Sequence, residues 1–242
     1  MGGGLAGSIA GLASVTTYPA LLAVGLPPIA ANVTNTVALV FNGIGSMWGS
    51  RPELTGQGPR LRSIAPMAAL GGVVGAVLLL STPAEGFEKI VPILLGAASL
   101  AIVLPHDASD SAAAECKPRG RRGALILEGA AIFGVCVYGG YFGAAAGVLL
   151  LAILLRAGSA TLAHANASKN VILGLANLVA ALIFIVWAPV HWAAVLPLGA
   201  GCLVGSRLGP IVVRHAPAMP LRILIGIAGL ALAVKLGVDA YT

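Results

Sequence analysis

Long apolar runs constrain this chain more than any other feature of its sequence. A helix needs about 20 apolar residues to cross roughly 30 Å of bilayer hydrocarbon, and eight runs approach or exceed that length. They lie at about 3–26, 29–49, 63–82, 88–104, 123–156, 163–187, 191–213 and 219–238. A backbone in hydrocarbon must satisfy its own hydrogen bonds, as a helix does. The sequence therefore predicts an all-α polytopic membrane protein.

The composition excludes other classes of protein. Only 9% of the 242 residues are charged, whereas soluble domains carry about 25%. A soluble domain, a disordered chain and a nucleic-acid binder are excluded on this ground. We interpret the net charge of +6 as basic loops facing the cytoplasm, and expect a multi-pass protein of the cell inner membrane. The lipid bilayer is then one partner, and nucleic acid is not.

The two halves of the chain repeat one another. Residues 31–39 (ANVTNTVAL) align with residues 165–173 (ANASKNVIL) at an offset of 134, with four identical positions. Each copy opens the second apolar run of its half. Residues 71–75 align with residues 201–205 at an offset of 130, and we interpret their glycines as helix-packing residues. This internal repeat predicts two halves of the same architecture, each with four apolar runs.

A polar stretch divides the repeats. It predicts a first transmembrane repeat at 1–104, a cytoplasmic linker at 105–122 and a second transmembrane repeat at 123–242, with four apolar segments in each repeat.

The first and fifth runs are predicted to be broken. The run at 123–156 would make a helix of about 50 Å, too long for one crossing, and glycines at 139–143 favour a break. The first run is interrupted at the matching place, at 13–19. Two interpretations compete for these runs: tilted broken spans, or re-entrant hairpins that leave on the side they entered.

The basic residues favour hairpins. If all eight runs cross, the basic residues outside the membrane divide eight to five between the two sides. If the first and fifth runs are hairpins, they divide eleven to two, with only Lys89 and Lys235 on the smaller side. Each half then has three crossings, so the two halves are inverted relative to one another, as in many secondary transporters. Both termini are then outside the cytoplasm.

Three segments resemble the sulfite exporter TauE/SafE family of membrane transporters. Residues 138–147 (YGGYFGAAAG) look like its glycine-rich YGGYFGAGxG element, residues 31–39 look like its ANxTNTVAL stretch, and 168–171 followed by Asn177 look like its KN…N helix. One departure stands at 11–15, where GLASV replaces the usual GIGGG. The resemblance implies export of a small sulfur-containing anion such as sulfite or a sulfonate.

Lys169 is the most informative single residue. It lies inside an apolar run, where a charge is costly and functional by default. Its expected companions in an anion site are Asn166, Asn170 and Asn177. Further candidates are the first-half asparagines Asn32, Asn35 and Asn42, the hydroxyls of Ser14, Thr16 and Thr17, and Gly139, Gly140, Gly143 and Tyr141 of the fifth run. Half-helix N-termini would add backbone N–H donors.

Each of these assignments has a structural alternative. Lys169 could snorkel to an interface, the asparagines could bond between helices, and the glycines could serve packing alone. Glu128 could carry a coupling proton or could lie at an interface.

The sequence thus predicts a secondary transporter that works by alternating access. An anion channel and an importer of another small organic anion are the alternatives. We expect no catalytic residues, no metal and no cofactor. The coupling ion, a proton or a cation, and the oligomeric state stay open.

Overall fold

The computed structural model describes residues 1–103, 121–156 and 161–215, with isolated residues between 227 and 238. Most of the predicted linker at 105–122 and most of the final apolar run lie outside these ranges. Within them all regular structure is helical. The helices are α1 (Gly2–Ala10), α2 (Ala13–Ala23), α3 (Pro28–Gly49), α4 (Arg51–Leu54), α5 (Gly58–Ser81), α6 (Ala84–Val103), α7 (Arg121–Tyr141), α8 (Ala146–Arg156), α9 (Leu162–Trp187) and α10 (Trp192–His215).

The first apolar run is broken, as predicted, but not at 13–19. Those residues belong to α2, which accommodates Pro19, and the break lies at Gly11 and Leu12. Gly11 has a φ of 73°, and its N–H bonds the Gly7 carbonyl to end α1. A left-handed backbone favours glycine because glycine lacks a Cβ, so Gly11 decides where the helix ends.

The fifth run is broken in the same way. The helix α7 continues through Gly139 and Gly140 and ends at Tyr141. Gly143 then has a φ of 73° and Ala145 a φ of 58°, and α8 begins at the following residue. Both breaks therefore contain a left-handed glycine that separates two helical segments.

Two pairs of long helices run in the same direction. On α3 and α10, Gly45 lies against the Leu203 carbonyl and, one turn on, Gly49 lies against the Arg207 carbonyl. Both helices advance together, so they are parallel.

The helices α5 and α9 are parallel too. Gln57, just before α5, donates to the His164 carbonyl over 3.3 Å, and Gly72 lies against the Ala176 backbone further along both helices.

Two further pairs of helices are also parallel. On α1 and α10, Gly4 meets Cys202 and Ser8 meets Gly209. On α5 and α7, the glycines predicted to pack do so, since Gly71 lies against the Phe133 carbonyl and Gly75 against the Val137 carbonyl. Hence α1 runs with α10, and α7 runs with α5.

A short linker shows that α3 and α5 run in opposite directions. Eight residues, 50–57, join α3 to α5, and they include α4. Fully extended they would reach about 28 Å, whereas the 22 residues of α3 rise about 33 Å. The chain cannot return to the start of α3, so α3 and α5 run in opposite directions. Because α9 runs with α5, α3 and α9 are also opposed.

Three helices in the described ranges are long and apolar enough to cross a membrane: Gly58–Ser81, Leu162–Trp187 and Trp192–Val212. Their outward faces stay apolar, with Leu182, Val186 and Leu196 exposed by 57%, 66% and 67%. Large exposed apolar faces of this kind suit lipid rather than water. The helix α3 is as long but carries a buried polar stretch at 32–36, which lowers its apolar content.

Aromatic packing connects the two broken runs. Phe142, in the break of the fifth run, meets Tyr18 of α2 edge to face, with ring centroids 5.2 Å apart. Phe87 of α6 packs on Phe142 at 6.1 Å and on Tyr141 at 5.9 Å. Such pairs prefer this tilted geometry. The breaks are thereby held next to one another inside the helical bundle.

Candidate functional site

Two glycine contacts bring the backbones of the two halves together. Gly11 lies against Gly147 of α8, so a methyl group on Gly11 would come within 2.6 Å of the Gly147 carbonyl carbon. Gly43 of α3 lies against Gly174 of α9, where the same addition would leave 3.0 Å to the Gly174 Cα. Only glycines allow helices to approach this closely. The two breaks and the α3–α9 contact therefore meet at one place.

A cavity lies at this meeting point. Its volume is about 40 Å³, on a scale where one water molecule needs roughly 10–15 Å³. Its lining residues come from the two broken runs, from α3 and from α9. They are Gly7, Gly11, Ala13, Ser14, Thr36, Leu39, Asn42, Gly43, Gly139, Gly143, Ala146, Gly147, Lys169, Asn170, Leu173, Gly174 and Asn177.

Lys169 is the only charged residue of this lining within the described part of the chain. It is 1% exposed, and its Nζ donates to the Gly7 carbonyl over 3.3 Å. An ammonium carries three donors, and no carboxylate among the described residues forms an ion pair with Lys169. A buried charge without a counter-charge is costly, so this ammonium is suited to meet an anion.

Two half-helices begin at the cavity. The helix α2 starts at Ala13 and α8 at Ala146, and both residues belong to the lining. The residue before α2, Leu12, offers no side-chain cap to the first N–H groups. Helix N-termini carry unsatisfied N–H donors and a partial positive charge. The cavity thus lies between one ammonium and two positive helix ends.

Seven of the predicted site residues line the cavity: Ser14, Asn42, Gly139, Gly143, Lys169, Asn170 and Asn177. The side chain of Asn170 also reaches the Ser8 carbonyl, at 3.5 Å. A methyl group on Gly139 would lie 3.6 Å from Leu173, at an ordinary van der Waals distance, so this position is less closely packed than Gly11 or Gly43.

Asn32 and Asn166 lie outside the lining and bond helix ends instead. Asn166 Nδ2 donates to the Ser8 carbonyl near the end of α1 over 2.9 Å. Asn32 Nδ2 donates to the Tyr141 carbonyl at the end of α7 over 2.8 Å. The last carbonyls of a helix have no partner within it. Each asparagine therefore supplies a cap for the broken helix of the opposite half.

Asn35 is engaged with α2 rather than with the cavity. Its Oδ1 accepts from Thr17 Oγ1 at 2.5 Å, and its Nδ2 donates to Ser14 Oγ at 3.2 Å. Thr16 donates to the Ala13 carbonyl at 2.7 Å, and the Thr17 hydroxyl oxygen lies at the same distance from that carbonyl. Of these side chains only Ser14 reaches the lining.

Gly140 and Tyr141 serve packing. A methyl group on Gly140 would come within 2.8 Å of the Gly72 carbonyl oxygen on α5. Tyr141 packs its ring on Phe87. Neither residue lines the cavity.

Sequence reasoning did not include Thr36 or Gly7 among the site residues. Asn42, which the sequence did predict, lines the cavity, and its Oδ1 is buried without a partner among the described residues. One signal could have pointed to Gly7, which precedes Gly139 by 132 residues, close to the offset of the repeat.

Glu128 lies away from the cavity. Its carboxylate pairs with Arg60 at 2.8 Å, and the two side chains are 22% and 37% exposed. This position agrees with the interfacial interpretation of Glu128.

The comparisons with known proteins agree with the membrane architecture. The family model for the sulfite exporter TauE/SafE matches residues 1–236. The probable membrane transporter protein YfcA of Escherichia coli is 29% identical over 98% of this chain and 87% of its own length. Probable membrane transporter proteins of Sinorhizobium sp. and Haemophilus influenzae are 27% and 25% identical, over 98% and 96% of this chain and 88% and 89% of their own lengths. No solved structure matches. With a family model matched along almost its whole length and relatives of the same extent, the chain belongs to the sulfite exporter TauE/SafE family of membrane transporters.

Proposed function

We propose that this protein is a secondary transporter that exports a small sulfur-containing anion, such as sulfite or a sulfonate, across the cell inner membrane. The observation that carries the proposal is the cavity into which one buried ammonium and two half-helix N-termini converge. All three groups favour negative charge. An oxyanion bound there would supply the counter-charge that Lys169 lacks in the described part of the chain.

The anion's ligands in this proposal are few. Lys169 gives a charge-assisted hydrogen bond, Asn170 and Asn177 offer amide N–H donors, and the first N–H groups of α2 and α8 complete the shell. Gly139 lets backbone approach the anion. The cavity volume of about 40 Å³ favours a compact anion over a bulky organic molecule.

Alternating access is supported by matched contacts between the halves. The helix α3 packs on α10, as its sequence counterpart α9 packs on α5; α1 packs on α10, as α7 packs on α5. A pseudo-twofold axis that exchanges the halves would produce this pattern. Such symmetry lets one half rock against the other around a central site.

The lining has the same symmetry. Six pairs of lining residues have a spacing close to that of the sequence repeat, 132 positions in the first and fifth runs and 134 in α3 and α9. They are Gly7 and Gly139, Gly11 and Gly143, Ser14 and Ala146, Thr36 and Asn170, Leu39 and Leu173, and Gly43 and Asn177.

Re-entrant hairpins are supported by the helix directions. Since α1 and α3 both run with α10, the short α2 between them must return towards the side on which α1 started. The same reasoning applies to α8 between α7 and α9. In this proposal the halves are inverted, Arg51 and Arg62 face the cytoplasm, and an ion gradient drives transport.

A binding experiment tests the proposal. The purified protein is heated with sulfite, sulfate, thiosulfate, taurine, sulfoacetate or small carboxylates, because a ligand that binds the folded state raises its apparent stability. We expect a rise in the apparent Tm with a sulfur oxyanion or sulfonate. A rise with carboxylates alone would contradict the proposed substrate class.

Variants of Lys169 test the site. We expect Lys169→Ala, and Lys169→Met, which preserves most of the side-chain volume, to abolish the shift in Tm while the protein still folds. Arg62→Ala, which removes an exposed basic residue outside the cavity, is the matched control and should keep the shift. Unchanged anion affinity in both Lys169 variants would contradict the assignment.

Counterflow distinguishes a carrier from a channel. In proteoliposomes, unlabelled anion on the far side should accelerate uptake of labelled anion, because a carrier returns faster when loaded. Flux without this acceleration would identify an anion channel instead.

A further inference from the structure

A side-chain contact joins the start of α5 to α9. Gln57, immediately before α5, donates from Nε2 to the carbonyls of Glu53 at 2.6 Å and His164 at 3.3 Å. The hydroxyl of Ser168 donates a short hydrogen bond to Gln57 Oε1. Ser168 is buried and directly precedes Lys169. Gln57 thus bonds α9 at the residue directly before Lys169.

A second contact joins the start of α10 to α3. The backbone N–H of His191, immediately before α10, donates to Thr34 Oγ1 over 3.1 Å. Thr34 is buried and lies two residues before Thr36 of the cavity lining.

The two contacts are related by the sequence repeat. Thr34 and Ser168 are 134 positions apart, and so are Gln57 and His191. Each contact joins a helix of one half to the residue before a helix of the other half. Ser168 of α9 contacts the residue before α5, and Thr34 of α3 contacts the residue before α10. The two contacts therefore occupy equivalent positions in the two halves, and we expect them to serve equivalent roles.

The contacts lie on opposite sides of the α3–α9 crossing. Thr34 precedes Gly43 by nine residues, and Ser168 precedes Gly174 by six, while α3 and α9 run in opposite directions. At about 1.5 Å per residue, some 22 Å along the helix axes separates them. The cavity lies between the two contacts.

We propose that these contacts are the two gates of the transporter: Gln57–Ser168 closes the cytoplasmic end of the cavity, and His191–Thr34 closes the outer end. The inference rests on the proposed alternating access. When one half rocks against the other, one contact breaks and opens its end while the other holds. Loss of a gate's hydrogen bond shifts the population towards the state open at that end.

Accessibility of the cavity tests the gates without any substrate. Ala146 lines the cavity, so Ala146→Cys is introduced into a background with Cys116, Cys136 and Cys202 replaced by Ala. A membrane-impermeant thiol reagent is applied to right-side-out and to inside-out vesicles. Ser168→Ala and, independently, Gln57→Ala should raise labelling from the cytoplasmic face. Thr34→Val should raise labelling from the outer face.

One net hydrogen bond corresponds to a shift of about fivefold in the labelling rate. Ser81→Ala and Thr82→Val are the matched controls, because their hydroxyls bond only carbonyls of their own helix, at 2.8 and 2.7 Å, and they should leave labelling unchanged. If Ser168→Ala and Thr34→Val raise labelling from the same face, or if they match their controls, the gates are wrong. Since labelling needs no anion, that result stays distinct from a failure to bind sulfur anions.

Discussion

The asparagines show how one residue type takes different roles according to its helix face. Asn170 and Asn177 line the cavity, whereas Asn32 and Asn166 bond carbonyls at the ends of α7 and α1. A free carbonyl inside a protein costs more than one hydrogen bond gains. The broken helices therefore need these amides before any anion arrives.

Removal of either capping amide should lower stability. We expect Asn166→Leu and Asn32→Leu each to cost about 1–3 kcal/mol, because a buried carbonyl loses its donor. Thermal unfolding in detergent measures the loss, and anion titration of the same samples provides the comparison. Full stability combined with lost anion binding in Asn166→Leu would instead make Asn166 an anion ligand.

Two glycines of the first run share a left-handed backbone but differ in their surroundings. Gly11 combines a φ of 73° with close approach to Gly147, whereas Gly25 has a φ of 88° but nothing within 4 Å of the place where a methyl group would lie. We expect Gly11→Ala to lower the apparent Tm much more than Gly25→Ala, which bears only the backbone cost of about 1 kcal/mol. Equal losses in thermal unfolding would show that the Gly11–Gly147 contact contributes little.

The pair between α5 and α7 allows a test of Glu128. Because Arg60 and Glu128 are partly exposed, their pair should contribute less than about 1 kcal/mol. Glu128→Gln should therefore change the apparent Tm little and leave the pH profile of transport unaltered. A lost pH dependence in proteoliposomes would assign Glu128 to proton coupling.

For the whole molecule, the proposed inversion of the two halves predicts the side of the membrane on which two loops lie. Val24 precedes α3 and is 70% exposed; Leu162 opens α9 and is 53% exposed. In the cysteine-free background, Val24→Cys should react with an impermeant thiol reagent from outside, and Leu162→Cys from the cytoplasm. Labelling of both from one side would contradict inversion of the halves.

Much of the fold was predictable from local composition. Apolar runs of membrane-spanning length indicate helices because lipid offers the backbone no partners, and glycines indicate where a run breaks. The break of the first run was predicted at 13–19 but lies at Gly11 and Leu12. A proline near the middle of a run resembles an interruption, whereas a left-handed glycine produces one.

The sequence by itself determined the helical class, the membrane setting and the family, and it singled out Lys169, because a charge in an apolar run stands out without any structure. Only the tertiary structure decided which polar residues surround that charge. Asn35 and Thr36 are neighbours, yet Asn35 bonds α2 and Thr36 lines the cavity. A helix turns adjacent residues about 100° apart, so the packing of α3 against its neighbours chooses the face, and no local pattern encodes that choice.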